Sequence, residues 1–138
     1  MNTDLASQRA LDRLAKAGFD SLSESEKILA AVWLFEAGVG NEGFIGYFSS
    51  GRGDLAFYAP VALRSIGATQ LAAIASEANA LFGPEGAPRD RTSRRELVRA
   101  FPASAQAALV ALDTRYFNCD EDADDLLERS LARAKKTE

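Results

Sequence analysis

A chain of 138 residues, 47% of them hydrophobic, has the size and the apolar content for one domain around one core. It has no histidine and a single cysteine, Cys119, which excludes Ser-His-Asp and Cys-His nucleophile systems, His-ligated metals and any intramolecular disulfide, and points to a reducing cytoplasm. The formal charge of −4, from 20 acidic against 16 basic side chains, gives the molecule as a whole no attraction for nucleic acid or an anionic membrane.

The N-terminal MNTDLASQRALDRLAKAG lacks the apolar core of a signal peptide, and the longest apolar run, 28–35, falls short of the roughly 20 residues of a bilayer span. A soluble chain is expected. From Leu5, the positions Leu11, Leu14, Ala15, Gly18 and Phe19 recur at helical offsets and predict an amphipathic helix over about 4–17. Ser23-Glu24-Ser25-Glu26 reads as a capping box opening a second helix, and Ile28, Leu29, Val32, Trp33 and Phe35 make that helix the most buried element. Gly38 and Gly40 are expected to end it. Asn41 then reads as the N-cap of a short helical piece whose Phe44, Tyr47 and Phe48 share one face, closed by Gly51 and Gly53.

Pro60 suits a first helical turn, which predicts a helix over 59–66 with Val61, Leu63 and Ile66 inward and Gly67 as its C-terminal glycine. TQLAAIASEANALFG gives the clearest amphipathic pattern, through Leu71, Ile74, Ala75, Ala78, Leu81 and Phe82 to Gly83-Pro84. After the loop GPEGAPRDRT, Ser93-Arg94-Arg95-Glu96 reads as a second capping box, opening a short helix to Phe101. Ala105, Ala108, Leu109, Leu112 and Tyr116 mark one face of a helix over 102–115, and Leu126, Leu127, Leu131 and Ala134 one face of the last. No segment alternates with period two. The chain is expected to be all-α, a single compact domain of about seven or eight helices spanning 1–138.

Gly38-Val39-Gly40-Asn41-Glu42-Gly43 spells G-x-G-x-x-G, but a dinucleotide loop needs a strand before it and a helix N-terminus facing the pyrophosphate. Here a capped, alanine-rich run precedes the glycines, and Glu42 sets a carboxylate where phosphate would sit. The stretch reads as a helix-glycine-helix corner, and no cofactor is expected.

Asn41-Glu42-Gly43-Phe44, Tyr47-Phe48, Gly53-Asp54 and Ala62-Leu63-Arg64-Ser65-Ile66-Gly67-Ala68, with Leu112-Asp113 and Tyr116-Phe117 near the end, together resemble the bacterial DNA-mimic protein family over about 34–131. That family carries Asn-Gly-Gly-Phe, then Gln-Tyr-Phe, a glycine turn, and Ile-Gly-Ala before a long helix. Glu42 replaces the second residue of the first motif, and Gly46 stands where glutamine is frequent. The resemblance implies an all-helical fold and an acidic surface that imitates DNA and sequesters a DNA-binding regulator.

Carboxylates concentrate in the last quarter as Asp113, Asp120, Glu121, Asp122, Asp124, Asp125 and Glu128. With Glu36 and Glu42 they form the candidate site for a basic protein partner, a DNA-binding regulator being one candidate; direct contact with nucleic acid or membrane is not expected. The plainer reading is a solvated face whose first-turn acids complement the helix dipole. Asp120, Asp122 and Asp124 also occupy positions one, three and five of a calcium loop, but Asp125 replaces the sixth-position glycine and Leu131 the twelfth-position glutamate, so no metal is expected. Between Arg89 and Arg99 five arginines can pair with this acidic cluster, dock an acidic partner or touch phosphate.

The function expected is that of a non-enzymatic, cytoplasmic interaction protein, monomer or homodimer, that inhibits a basic partner through its acidic surface. An immunity or antitoxin-like protein that recognises its target by shape is the alternative. An enzyme is the weaker one, and would need a ligand among Trp33, Phe44 and Tyr47.

Overall fold

Ser23 and Glu26 close the expected capping box: the Glu26 N–H donates to Ser23 Oγ at 3.2 Å, and the Ser23 N–H donates to Glu26 Oε1 at 2.9 Å. In the computed structural model, which describes residues 3–136, this box opens the central element of the fold. The helices are α1 (Thr3–Ala17), α2 (Glu24–Ser49), α3 (Ala59–Ser65), α4 (Thr69–Ala80), α5 (Arg91–Arg99), α6 (Ala103–Phe117) and α7 (Ala123–Lys136). Short 3-10 turns cover Phe19–Ser21 and Gly51–Leu55. There is no strand among the described residues, so the all-α expectation holds.

α2 is the hub, touched by α1, α3, α5, α6 and α7, while α4 bridges α3 and α6. Leu29, Val32, Phe35, Val39, Phe44, Tyr47 and Phe48 are buried along it. Edge-on aromatic contacts extend this core, from Phe35 to Tyr116 at 5.7 Å between ring centres, and from Phe48 through Phe82 to Phe101 at 4.8 and 5.1 Å. By length and composition α2 could cross a membrane, its mean hydropathy reaching 1.3, whereas no run of that length was expected. Small and aromatic residues after Phe35 keep the hydropathy up across the glycines. α2 is packed by neighbours on several sides and broken at Gly43.

Several boundaries differ from expectation. Gly38 and Gly40 do not end α2. A Cβ at Gly38 would lie 2.4 Å from the Tyr47 ring, so glycine there lets the aromatic residue lie directly on the helix backbone. The break falls at Gly43, with φ 72° and ψ 178°, a region open essentially to glycine alone. Asn41 is no N-cap; its Nδ2 donates back to the Ala37 carbonyl at 2.8 Å. Val61 is 44% exposed, because Ala62 and Leu63 take the inward face of α3. α4 stops at Ala80, short of Leu81 and Phe82. The second capping box is replaced by Asp90, whose Oδ2 accepts the Ser93 N–H at 2.8 Å.

Candidate acidic site

α6 lies along the kinked part of α2 and anchors it with two residues one turn apart. Asp113 Oδ1 accepts the Phe44 N–H at 2.8 Å, supplying from a distant helix the cap that the second half of α2 lacks. A Cβ on Gly43 would sit 2.8 Å from Asp113 Oδ2, so glycine and carboxylate fit as one unit. Burial raises the Asp113 pKa, against the lowering effect of the Phe44 hydrogen bond. One turn on, the Tyr116 hydroxyl donates to Glu36 Oε2. Burial raises the Glu36 pKa; the Tyr116 hydrogen bond opposes this, and repulsion from Asp124 and Asp122 adds to it.

The segment after α6 then distributes carboxylates to helix starts. Glu121 accepts the Leu71 N–H at 2.8 Å and the Gln70 N–H at 3.1 Å, capping α4, whose own N-cap, Ala68, has no side chain for the task. Asp122 Oδ1 accepts the Asp125 N–H at 3.1 Å and opens α7. Because α7 begins at Ala123, Asp124 stands on a helix and not in an open calcium-type loop.

The nine candidate carboxylates therefore separate. Glu36, Asp122 and Asp124 come together: Asp124 and Asp122 disfavour the ionisation of Glu36, and burial, then Asp122 and Asp4, raise the Asp124 pKa. Asp120 and Glu128 are exposed on the same segment. Asp125 pairs with Arg129 at 3.0 Å, one turn along α7. Glu42 pairs with Arg52 at 3.5 Å and does not join the group. Asp113 and Glu121 are committed to capping. Beside the group lies a cleft of about 180 Å³, lined by Glu36, Glu121, Leu71, Cys119, Tyr116 and Phe117.

The arginine-rich stretch does not neutralise this cluster. Arg94 is fully buried, donating to the carbonyls of Phe48 (2.7 Å), Ser50 (2.8 Å), Pro88 (3.1 Å) and Arg89 (3.2 Å) and to Asp54 Oδ1 (2.8 Å). Arg91 joins it on Asp54 at 3.0 Å, and Arg89 stacks over Phe57 at 4.4 Å. This Arg94–Asp54 centre, which ties α5 to the turn after α2, was missed in the sequence. A signal existed: Arg94 is one turn from Val98, the buried apolar residue of α5.

A cavity of about 370 Å³ lies between α4 and α6 and is lined by Gln70, Ala73, Ile74, Thr114, Arg115, Asn118 and Cys119. Its cation is already held, Arg115 gripping Glu77 in two contacts of 2.8 and 2.9 Å. Phe44 and Tyr47, two of the three residues around which an enzyme's ligand would have to sit, are fully buried against other rings. The family model described as DMP19-like protein matches residues 20–134, a span that includes the 34–131 stretch of the resemblance. No curated protein and no solved structure matches the chain.

Proposed function

The chain belongs to the DMP19-like protein family, and on that premise we propose that it is a non-enzymatic binding protein whose acidic end occupies a basic protein in place of DNA. The supporting observation is a concentration of carboxylates without cations in one short stretch. Glu24, Glu26, Glu42, Asp54 and Glu77 each lie within 4 Å of a lysine or arginine. Asp120, Asp122, Asp124 and Glu128 have no such cation among the described residues, although they follow one another over nine positions. Carboxylates held close and left without cations repel one another, and a partner that brings arginine or lysine relieves that repulsion as it would at phosphates. The partner is then a DNA-binding protein, and occupying its DNA site inhibits it.

The test is affinity capture from native lysate at low and high salt, with the wild-type chain and an Asp124→Lys/Glu128→Lys variant as baits. A basic protein held by the wild type at low salt, and lost with salt and with charge reversal, supports the reading. Capture indifferent to both changes contradicts it. A target recognised by shape is the second reading, favoured by the exposure of Val110 and Phe117 on α6; it predicts capture that salt leaves intact.

A further inference from the structure

On its solvent side α6 carries Ala103, Ala107, Val110, Thr114 and Phe117, all exposed and spaced alternately by four and three residues. Val110 is 55% and Phe117 62% exposed. That spacing is the seam by which one helix packs on another. From Ala103 to Leu112 the helix carries no charged side chain, unlike an ordinary solvated helix face. Thr114 turns its hydroxyl back to the Val110 carbonyl at 3.4 Å. Next to the seam, Leu81, Ala108, Ala111 and Leu112 line a groove of about 260 Å³ with Glu77 and Arg115 at its rim.

We propose that this face of α6 is the contact for a second copy of the chain, antiparallel about a two-fold axis at Val110. The residue order is self-complementary in that arrangement, as an isologous contact requires. Val110 meets its own copy, Ala107 meets Thr114, and the small Ala103 receives the large Phe117. The ends match in charge. Arg95 and Arg99 of α5 precede the start of α6, and Asp120 follows its end; all three are exposed and have no ion-pair partner among the described residues. Antiparallel pairing brings the basic end of one copy to the acidic end of the other, and opposes the two helix dipoles. A helix of 15 residues is about 22 Å long, so this is a small interface, in the size class of weak and reversible contacts. The pairing assigns a role to the exposed arginines of α5 and does not rest on the acidic-partner reading.

Sedimentation equilibrium of the full chain over the micromolar range tests it, with far-UV circular dichroism confirming the fold of each variant. The wild type is expected to be a monomer–dimer mixture, and Val110→Glu to weaken the dimer by about tenfold or more. Arg99→Asp weakens it too, and the exchange Arg99→Asp/Asp120→Arg restores it. A chain that stays monomeric, a dimer indifferent to Val110→Glu, an exchange that fails to restore association, or a monomer that uses Val110 to hold a different protein would each overturn the proposal.

Discussion

The Asp113 carboxylate accepts the Phe44 N–H at 2.8 Å across 69 residues of sequence, and this bond restarts α2 beyond Gly43. A helix end without a cap leaves backbone donors unsatisfied, and here the donor is partly buried. Asp113→Ala is expected to cost about 1–2 kcal/mol, read from urea unfolding. Gly43→Ala costs a similar or larger amount, about 1–3 kcal/mol, through its backbone angles and its collision with the carboxylate. Since both changes strike one contact, their costs should fall short of additive in the double variant.

Arg94 is the strongest single anchor of the loop after α2. Arg94→Met removes the buried donor shared by four carbonyls and by Asp54, which keeps only Arg91, for an expected loss of about 3–5 kcal/mol. Arg94→Lys keeps the charge but not the planar fork that reaches five acceptors, so it should recover only a minor part. Asp54→Asn, which leaves the four carbonyl contacts in place, should cost less than either. Chemical denaturation of the three variants checks the order.

Folding raises the Glu36 pKa, chiefly by burial. Such a carboxyl binds its proton more tightly in the folded than in the unfolded state, so its stabilising effect is present in acid and is lost as pH rises through the folded value. Glu36→Gln keeps an acceptor for Tyr116 and removes the charge beside Asp122 and Asp124. It is expected to raise Tm at neutral pH and to have little effect near about pH 4. Thermal melts across that range decide it.

Tyr47 is fully buried, and its hydroxyl is the one buried side-chain polar atom without a hydrogen-bond partner among the described residues. Removing an unsatisfied hydroxyl carries no loss of a bond. Tyr47→Phe is therefore expected to be neutral or to stabilise by about 1 kcal/mol, measured by the same unfolding assay.

Local patterns sufficed where local forces decide. The Ser23–Glu26 box, Pro60 near the start of α3 and the apolar faces of α4 and α6 lie where periodicity and capping rules set them. Which glycine breaks α2 was not legible, because Gly38 stays helical on account of Tyr47, nine residues away, and Gly43 turns where Asp113 can meet it. The same distance hid the caps made by Asp113 and Glu121, whose carboxylates looked in sequence like members of one acidic patch. Arg94 was grouped with four other arginines free to pair with the acidic cluster, dock an acidic partner or touch phosphate, since arginine is seldom buried, although it occupies the inward face of α5. What remains of the patch, Asp120, Asp122, Asp124 and Glu128 with Glu36 beside Asp122 and Asp124, became distinct once Asp113 and Glu121 were seen to cap helices and Glu42 and Asp125 to pair with Arg52 and Arg129.

Competition by duplex DNA tests the central claim most directly. A basic protein captured by the chain at low salt is titrated with duplex DNA, and the bound chain is measured at each step. If the acidic end stands in for DNA, DNA displaces the chain, and Asp124→Lys/Glu128→Lys binds too weakly to compete. A ternary complex in which chain and DNA are held together, or displacement that is the same for wild type and variant, would contradict the account.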